Sequence, residues 1–325
     1  MRYFAGIDGG GTKTAVCVAD INDFSVRGVT ASGASWREYG AENVARSFKE
    51  AVDSLIDDAH GGIGGIAMGL PCHGESETGD REMAAALRQS FPNVPLYLTN
   101  DVEVGWAGSL ALQPGINIVS GTGSIAFGKD ACGQTARSGG WSEFFGDEGS
   151  CYWVGRRTVE LFSKQADRRI PKDALYDVVC RDLALKNDYD IIDLVHNDYL
   201  QRRERVAGLQ LLAAKAADLG APSALSLYRE AAQELTLLVS AVLKQLNFNN
   251  KPFIVSYTGG LFKAKAFVLP HLSEAVRNMG GTLAPPRFRP EEGALLLAFN
   301  HFYPDGLTRM QTALQKMDRT GLRKH

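Results

Sequence analysis

A strand, a glycine turn and a returning strand occur twice in this chain, and that repeat limits its folds more than any other feature. Tyr3 to Asp8 reads as a strand, Gly9-Gly10-Gly11-Thr12-Lys13 as a turn, and Thr14 to Ala19 as the returning strand. Asn117 to Ser120, Gly121-Thr122-Gly123-Ser124 and Ile125 to Gly128 repeat the pattern. An offset of 112 residues places Ile7 on Val119, Asp8 on Ser120, Gly9 on Gly121, Gly11 on Gly123 and Thr12 on Ser124. A strand on both sides makes each turn a hairpin, and its recurrence predicts a duplicated domain.

Glycine-rich turns suit phosphate because their backbone N–H groups converge without side chains in the way. Two familiar phosphate loops are excluded by count. The dinucleotide form needs a third glycine at position 14, which is Thr14, and a helix behind it. The Walker form, counted from Gly6, needs Lys directly after Gly11, where Thr12 stands and Lys13 comes one place late. What remains is an acid-led hairpin in which Asp8 organises Mg²⁺ through water while Thr12 and Lys13 donate to phosphates. Taken alone, the segment reads equally well as an ordinary glycine-rich hairpin.

Along the chain, helical and strand-like segments alternate, the pattern of an α/β protein. Ala41 to Ala59 carries Val44, Phe48, Val52, Leu55 and Ile56 on one helical face. Gly65 to Leu70 and Pro95 to Thr99 read as strands, and Asp101 to Leu112 as a helix. Residues 150–165, 171–184, 190–218 and 222–247 read mainly as helices, and Phe253 to Tyr257 as a strand. With 325 residues and no low-complexity linker, two lobes are expected, 1–113 and 114–325.

Lys plus Arg number 35 against 37 Asp plus Glu, which argues against a nucleic-acid partner. No apolar run reaches the roughly 18–20 residues of a membrane span. The N-terminus enters a strand without a secretory pattern, and the five cysteines never form a C-x-x-C pair. A cytoplasmic protein with reduced thiols is expected.

Further stretches carry chemistry. Leu96-Tyr97-Leu98-Thr99-Asn100-Asp101 puts an acid at the carboxyl end of a strand, where α/β sheets bind ligands. Asp101 is also well placed to cap the following helix. Ser138-Gly139-Gly140-Trp141 leads to Gly146-Asp147-Glu148-Gly149-Ser150, a binding-loop pattern before a helix. Thr258-Gly259-Gly260-Leu261-Phe262 offers bare backbone for an adenosine, and Glu291-Glu292-Gly293-Ala294 opens another apolar helix. His73, in Pro71-Cys72-His73-Gly74, shows no partner acid in the sequence and reads as a structural loop residue.

In this order, from Gly6 to Ala298, these stretches resemble the N-acetylglucosamine kinase-like branch of the BadF/BadG/BcrA/BcrD ATPase family, within the actin/hexokinase/Hsp70 superfamily. The run from Ser120-Gly121-Thr122-Gly123-Ser124 through Ser138-Gly139-Gly140-Trp141 to Gly146-Asp147-Glu148-Gly149-Ser150 is its most specific part. The resemblance implies two ribonuclease H-like (actin-like ATPase) domains with an ATP cleft between them, and phosphorylation of an amino sugar's 6-hydroxyl. Asp101 would be the catalytic base and would face the sugar. Asp8, Gly10, Gly11, Thr12, Lys13, Gly121, Thr122, Gly123, Ser124, Gly259 and Gly260 would hold ATP, with Asp8 serving Mg²⁺. Trp36, Gly139, Gly140, Trp141 and Asp147 would line the sugar pocket, Asp147 accepting two hydroxyls. A homodimer is the expected assembly.

One position departs from the family pattern: Ala34, in Ala31-Ser32-Gly33-Ala34-Ser35-Trp36, stands where an Asn grips the sugar. A rival function is the family's ATPase activators, homodimers that share a cysteine-held iron–sulfur cluster. Cys151 keeps that option open, although no suitable second cysteine follows it.

Overall fold

The computed structural model describes residues 1–11, 13–57, 61–200, 202–249 and 251–319. They form two compact units, residues 1–113 with 285–325 and residues 114–284. The described residues from 285 onward pack with the first unit and not with the second, which precedes them in sequence. The reason is apolar. Leu295, Leu296, Phe299, Met310 and Leu314 complete a core with Phe4, Cys17, Ala19 and Phe24.

The first unit is built on β1 (Tyr3–Gly9), β2 (Lys13–Asp20), β3 (Val26–Ser32), β4 (Ile63–Leu70) and β5 (Leu96–Asn100), in the order β3-β2-β1-β4-β5. β1 pairs antiparallel with β2 and parallel with β4, and β5 runs parallel to β4. Its first helices are α1 (Trp36–Tyr39), α2 (Ala41–Asp53), α3 (Glu77–Ser90) and α4 (Asp101–Leu110). α2 stops short of the expected Ala59, its chain turning at Ser54 once Phe48 and Val52 are buried. Residues 58–60 lie outside the described set.

The second unit repeats the plan with β6 (Gly115–Ser120), β7 (Ser124–Lys129), β8 (Thr135–Gly139), β9 (Phe253–Thr258) and β10 (Gly281–Ala284), in the order β10-β9-β6-β7-β8. β6 pairs antiparallel with β7 and parallel with β9, so β6 and β7 are the counterparts of β1 and β2. The two glycine turns therefore occupy equivalent places in two sheets of one topology. Between β8 and β9 lie α5 (Cys151–Ala166), α6 (Ala174–Asp182), α7 (Asp190–Leu194), a single π-helical turn over Val195–Tyr199, α8 (Arg203–Gly208), α9 (Gln210–Asp218) and α10 (Pro222–Leu243). The span 190–218, expected to be mainly helical, holds α7, the π-helical turn, α8 and α9. α11 (Lys265–Asn278) joins β9 to β10.

The chain then returns to the first unit as α12 (Pro290–Phe302) and α13 (Leu307–Arg319). α12 crosses α4 closely because Gly293 and Gly108 face each other; the Cα of Gly108 lies 2.7 Å from where a Cβ on Gly293 would stand. Among the described residues no helix is long and apolar enough to cross a membrane.

Candidate active site

In the first unit, backbone pairing brings two acids to one end of the sheet. Asp8 is opposite Gly69 on β4, and Gly69 is opposite Thr99 on β5, two residues before Asp101. Gly69 has a steric reason to be glycine: a Cβ there would stand 3.1 Å from the Asp101 Cα and press on the Val104 side chain. Its absence lets α4 begin directly against the sheet.

Asp101 does not cap α4. Asn100 does: its extended backbone leads into the helix and its side-chain oxygen accepts from Val102 N–H at 3.1 Å. The Asn100 amide donates in turn to the His73 carbonyl at 2.8 Å. The loop that holds His73 is itself tied down by Asp80, which accepts from Gly74 N–H at 2.9 Å and pairs with His73 Nδ1 at 3.2 Å. Asn100 thus relieves Asp101 of the capping role and sets it at the first helical position, half-buried, at the strand end.

Burial, then the carboxylates of Asp101 and Glu291, push the Asp8 carboxyl up to about 8, with Lys13 opposing. Glu291, at the start of α12, is also raised, chiefly by burial. A recessed acid with two acidic neighbours is short of positive charge, which is the situation a hydrated cation relieves. Among the described residues no cluster of three or more potential ligands is arranged to hold a metal directly. The recessed Asp8 carboxyl beside Asp101 and Glu291 suits Mg²⁺, which keeps most of its water and needs one or two carboxylates plus phosphate oxygens.

The first glycine turn is closed by Gly10 N–H donating to the Lys13 carbonyl at 3.0 Å, and a Cβ on Gly10 would come 2.8 Å from that carbonyl. Gly11 is different, because a Cβ there would meet nothing within 4 Å. Thr12 lies outside the described residues. Lys13 is exposed at the start of β2. Ala34 is fully buried behind the turn; its N–H donates to Gly10 at 2.9 Å and its Cβ would be 3.0 Å from one on Gly9. Trp36 packs its ring on Gly79 of α3, with the Arg37 guanidinium 5.5 Å from the ring.

In the second unit Gly121 N–H donates to the Gly123 carbonyl at 2.9 Å, and the Gly121 carbonyl accepts from Cys151 N–H at 2.8 Å. Gly121 is the counterpart of Gly11 in openness, with nothing within 4 Å of a built Cβ. Thr122 is half-buried between the two glycines. Ser124 is buried and donates through its hydroxyl to Glu148 at 2.7 Å. Gly259, at φ +111°, presses against Ser120, and a Cβ on Gly260 would lie 3.3 Å from the Cys151 sulfur. Gly139 and Gly140, at φ +88° and +74°, fold over Ile125. Trp141 is 67% exposed and, with Phe144 and Phe145, stands out from the loop.

Asp147 already has partners within the second unit. One of its oxygens accepts from Ser124 N–H at 3.1 Å, and the other is bound by the Arg203 guanidinium. Burial nevertheless holds its carboxyl above the usual range. Its first task is therefore to tie the second turn to α8, with the Glu143 carboxylate as a second ion-pair partner 3.2 Å from the Arg203 Nε. The roles of five residues escape a reading of the sequence: Asn100, Glu291, Arg203 and the paired His73 and Asp80. Only Asn100 carries a local signal, being a favoured N-cap residue. The others come from loops and helices remote in sequence.

Cys151 begins α5 as part of the core, with burial raising its thiol to about 11. Such a thiol is inert and poorly suited to hold a cluster at a surface, which counts against the activator reading.

The model of the BadF/BadG/BcrA/BcrD ATPase family matches residues 5–298. An N-acetylmuramic acid/N-acetylglucosamine kinase of Clostridium acetobutylicum is 31% identical over 271 residues, 80% of this chain and 86% of that one. An N-acetyl-D-glucosamine kinase of Dictyostelium discoideum is 28% identical over 317 residues, 92% of this chain and 98% of its own. A crystal structure from Chromobacterium violaceum, provisionally named an N-acetylglucosamine kinase, superposes with a TM-score of 0.71 at 24% identity over 91% of this chain and 99% of that one. A glucokinase of the ROK family from Streptomyces griseus, solved with glucose and AMPPNP, shares the fold at a TM-score of 0.51 and 18% identity, over 92% of this chain and 99% of that one. The common fold is that of actin-like ATPases, one ribonuclease H-like sheet in each unit.

Proposed function

The chain belongs to the BadF/BadG/BcrA/BcrD ATPase family, and on that premise we propose that it is an ATP-dependent amino-sugar kinase that phosphorylates the 6-hydroxyl of an N-acetylglucosamine-type sugar. The observation that carries the reading is Asp101: an acid at the first position of α4, with Asn100 as that helix's cap, at the carboxyl end of β5 and separated from Asp8 by the single strand β4. Relatives along most of the chain are named as kinases of such sugars.

Phosphoryl transfer asks little covalent chemistry of the protein; it asks for alignment and for charge to be neutralised. In the proposed step the sugar's 6-oxygen bonds to the γ-phosphorus as the bond from that phosphorus to the β–γ bridging oxygen breaks, and ADP leaves. Asp101 accepts the hydrogen bond of the 6-hydroxyl, keeps its oxygen in line and takes its proton late. The backbone N–H groups of Gly11, Thr122 and Gly123, with Lys13, donate to the phosphates, while Gly10 and Gly121 close the two turns through their own N–H groups and leave phosphate room to approach, and Gly259 and Gly260 leave room for the nucleoside. Asp8 would hold Mg²⁺ through water, and that ion supplies charge neutralisation at the phosphates. Trp36 and Trp141 wall the sugar, and Gly139 and Gly140 bring backbone to it. Asp147 acts by fixing Ser124 and, when Arg203 yields, by accepting sugar hydroxyls. A cytoplasmic homodimer completes the reading, and light scattering on the eluting protein would measure its mass.

The direct test is ADP release with glucosamine, N-acetylglucosamine, N-acetylmannosamine and glucose, each against a no-sugar control. N-acetylglucosamine should raise ADP release well above that control, and the product should carry phosphate on carbon 6 by NMR. ADP release that no sugar stimulates would refute the kinase reading.

A further inference from the structure

The segment that leads into α5 is fastened to the second glycine turn along its length. Ser124 Oγ donates to the Glu148 carbonyl at 2.7 Å, Ser120 Oγ to the Gly149 carbonyl at 2.8 Å, and Cys151 N–H to the Gly121 carbonyl at 2.8 Å. Asp147 heads this segment with a left-handed backbone, φ +59°, and its Oδ1 accepts from Ser124 N–H at 3.1 Å. Its side chain is only 2% exposed. A carboxylate held this way, by its own bond to the turn and by those of the residues after it, cannot swing clear.

The glycines of the turn mark where that carboxylate stands. A Cβ on Gly121 would meet nothing within 4 Å, whereas one on Gly123 would come 2.9 Å from Asp147 Oδ1 and 2.9 Å from Arg203 Nη2. Gly123 is bare because an ion pair lies against it. A polyphosphate held by the N–H groups of Thr122 and Gly123 therefore meets a fixed, desolvated carboxylate beside the turn, and the two repel each other. Glu143 has the same sign but stands at a half-exposed edge, where water and salt screen it. Arg203 is the cation paired with Asp147: Nη2 binds Oδ2, the oxygen that Ser124 leaves, and Nε faces Glu143 at 3.2 Å. The guanidinium comes from the first residue of α8, which packs on α5 where Gly155 lets the Val206 carbonyl approach.

We propose that Arg203 makes the second glycine turn fit for a polyphosphate. It cancels in place the charge that Asp147 brings to the turn, and so sets nucleotide affinity without touching the nucleotide. Arg203 is a positioning residue that acts through Asp147. The proposal rests on the ATP-binding reading of this turn.

The test is calorimetric titration of AMPPNP with Mg²⁺ into the intact protein, without sugar, at about pH 8, well above the ordinary carboxylate range. Arg203→Gln should weaken binding by roughly ten- to a hundred-fold, and Arg203→Lys, which keeps the charge, by less. Asp147→Asn removes the repelling charge while breaking the ion pair, and should bind at least as tightly as the wild type. The double variant Asp147→Asn, Arg203→Gln should return to within about three-fold of the wild type. A pair that served only to tie the turn to α8 gives the opposite pattern, with both single variants and the double one weak. Unchanged binding by Arg203→Gln overturns the proposal. So does a weak double variant, because Arg203 would then shape the turn or touch the nucleotide itself. If Arg203→Gln does not fold, Asp147→Asn decides: binding equal to or tighter than wild type supports the proposal, and weaker binding overturns it. A wild type that binds no nucleotide refutes the ATP reading of the turn, and this proposal with it.

Discussion

Three kinds of residue in the site have separable duties, and substitution can tell them apart. In the proposed step Asp101 is the base, so Asp101→Asn should leave the melting temperature and nucleotide affinity near wild type and lower kcat by roughly 10²- to 10⁴-fold. Turnover within a few-fold of wild type would remove it from the mechanism. Gly11 and Gly121 are bare without a packing reason, since a Cβ at either would meet only open space. Gly11→Ala and Gly121→Ala should therefore fold normally yet raise KM for ATP, whereas a glycine kept for packing would show its loss in stability. Asp8 differs again. Its carboxyl titrates near 8 in the folded protein and near 4 when unfolded. Between those values the folded state keeps a proton that the unfolded state releases, so stability should decline as pH rises from about 4 to about 8. In EDTA, Asp8→Asn should flatten that decline in urea titrations at several pH values.

At the level of elements, the start of α4 decides where Asp101 stands. Asn100 satisfies the Val102 N–H and reaches back to the His73 carbonyl, and Asp80 holds the loop that presents this carbonyl. Asn100→Ala should cost about 1 kcal/mol of stability, the usual value of an N-cap. Because the same side chain orients Asp101, kcat should fall more than that loss of folded protein explains. Asn100→Ser, which keeps the cap without the reach to His73, should recover stability but not all of kcat.

For the whole molecule, the carboxyl-terminal segment is what links the two halves of the sequence. The fifth strand of each sheet is followed by a helix that opens with an acid, Asp101 on α4 and Glu291 on α12, and both helices belong to the first unit. A chain ended after Ala284 keeps every strand of both sheets yet loses Leu295, Leu296 and Phe299 from the first unit's core. Burial of side chains of this size is worth roughly 1.5–3 kcal/mol each. The truncated protein should show fast hydrogen exchange through β1 and β2 while β6 and β9 remain protected, and uniform protection would contradict this account.

The sequence alone determined the duplicated hairpins, the class of the fold, the family, and the places of Asp8 and Asp101 at strand ends. Those are properties of local pattern: glycine and strand residues recur in a period that short-range sterics enforce, and an acid after an apolar strand keeps that address wherever the strand packs. The tertiary structure alone decided what surrounds those positions. Glu291 reaches the neighbourhood of Asp8 because α12 must bury its apolar faces against β1 and α4. Asp147 turns to Arg203 because a recessed carboxylate takes the cation that the packing of α8 supplies. Ala34 disappears into the core because the first turn closes over it. Each of these is a long-range contact whose energy comes from desolvation, a quantity set by what else is nearby and therefore absent from any short stretch of chain.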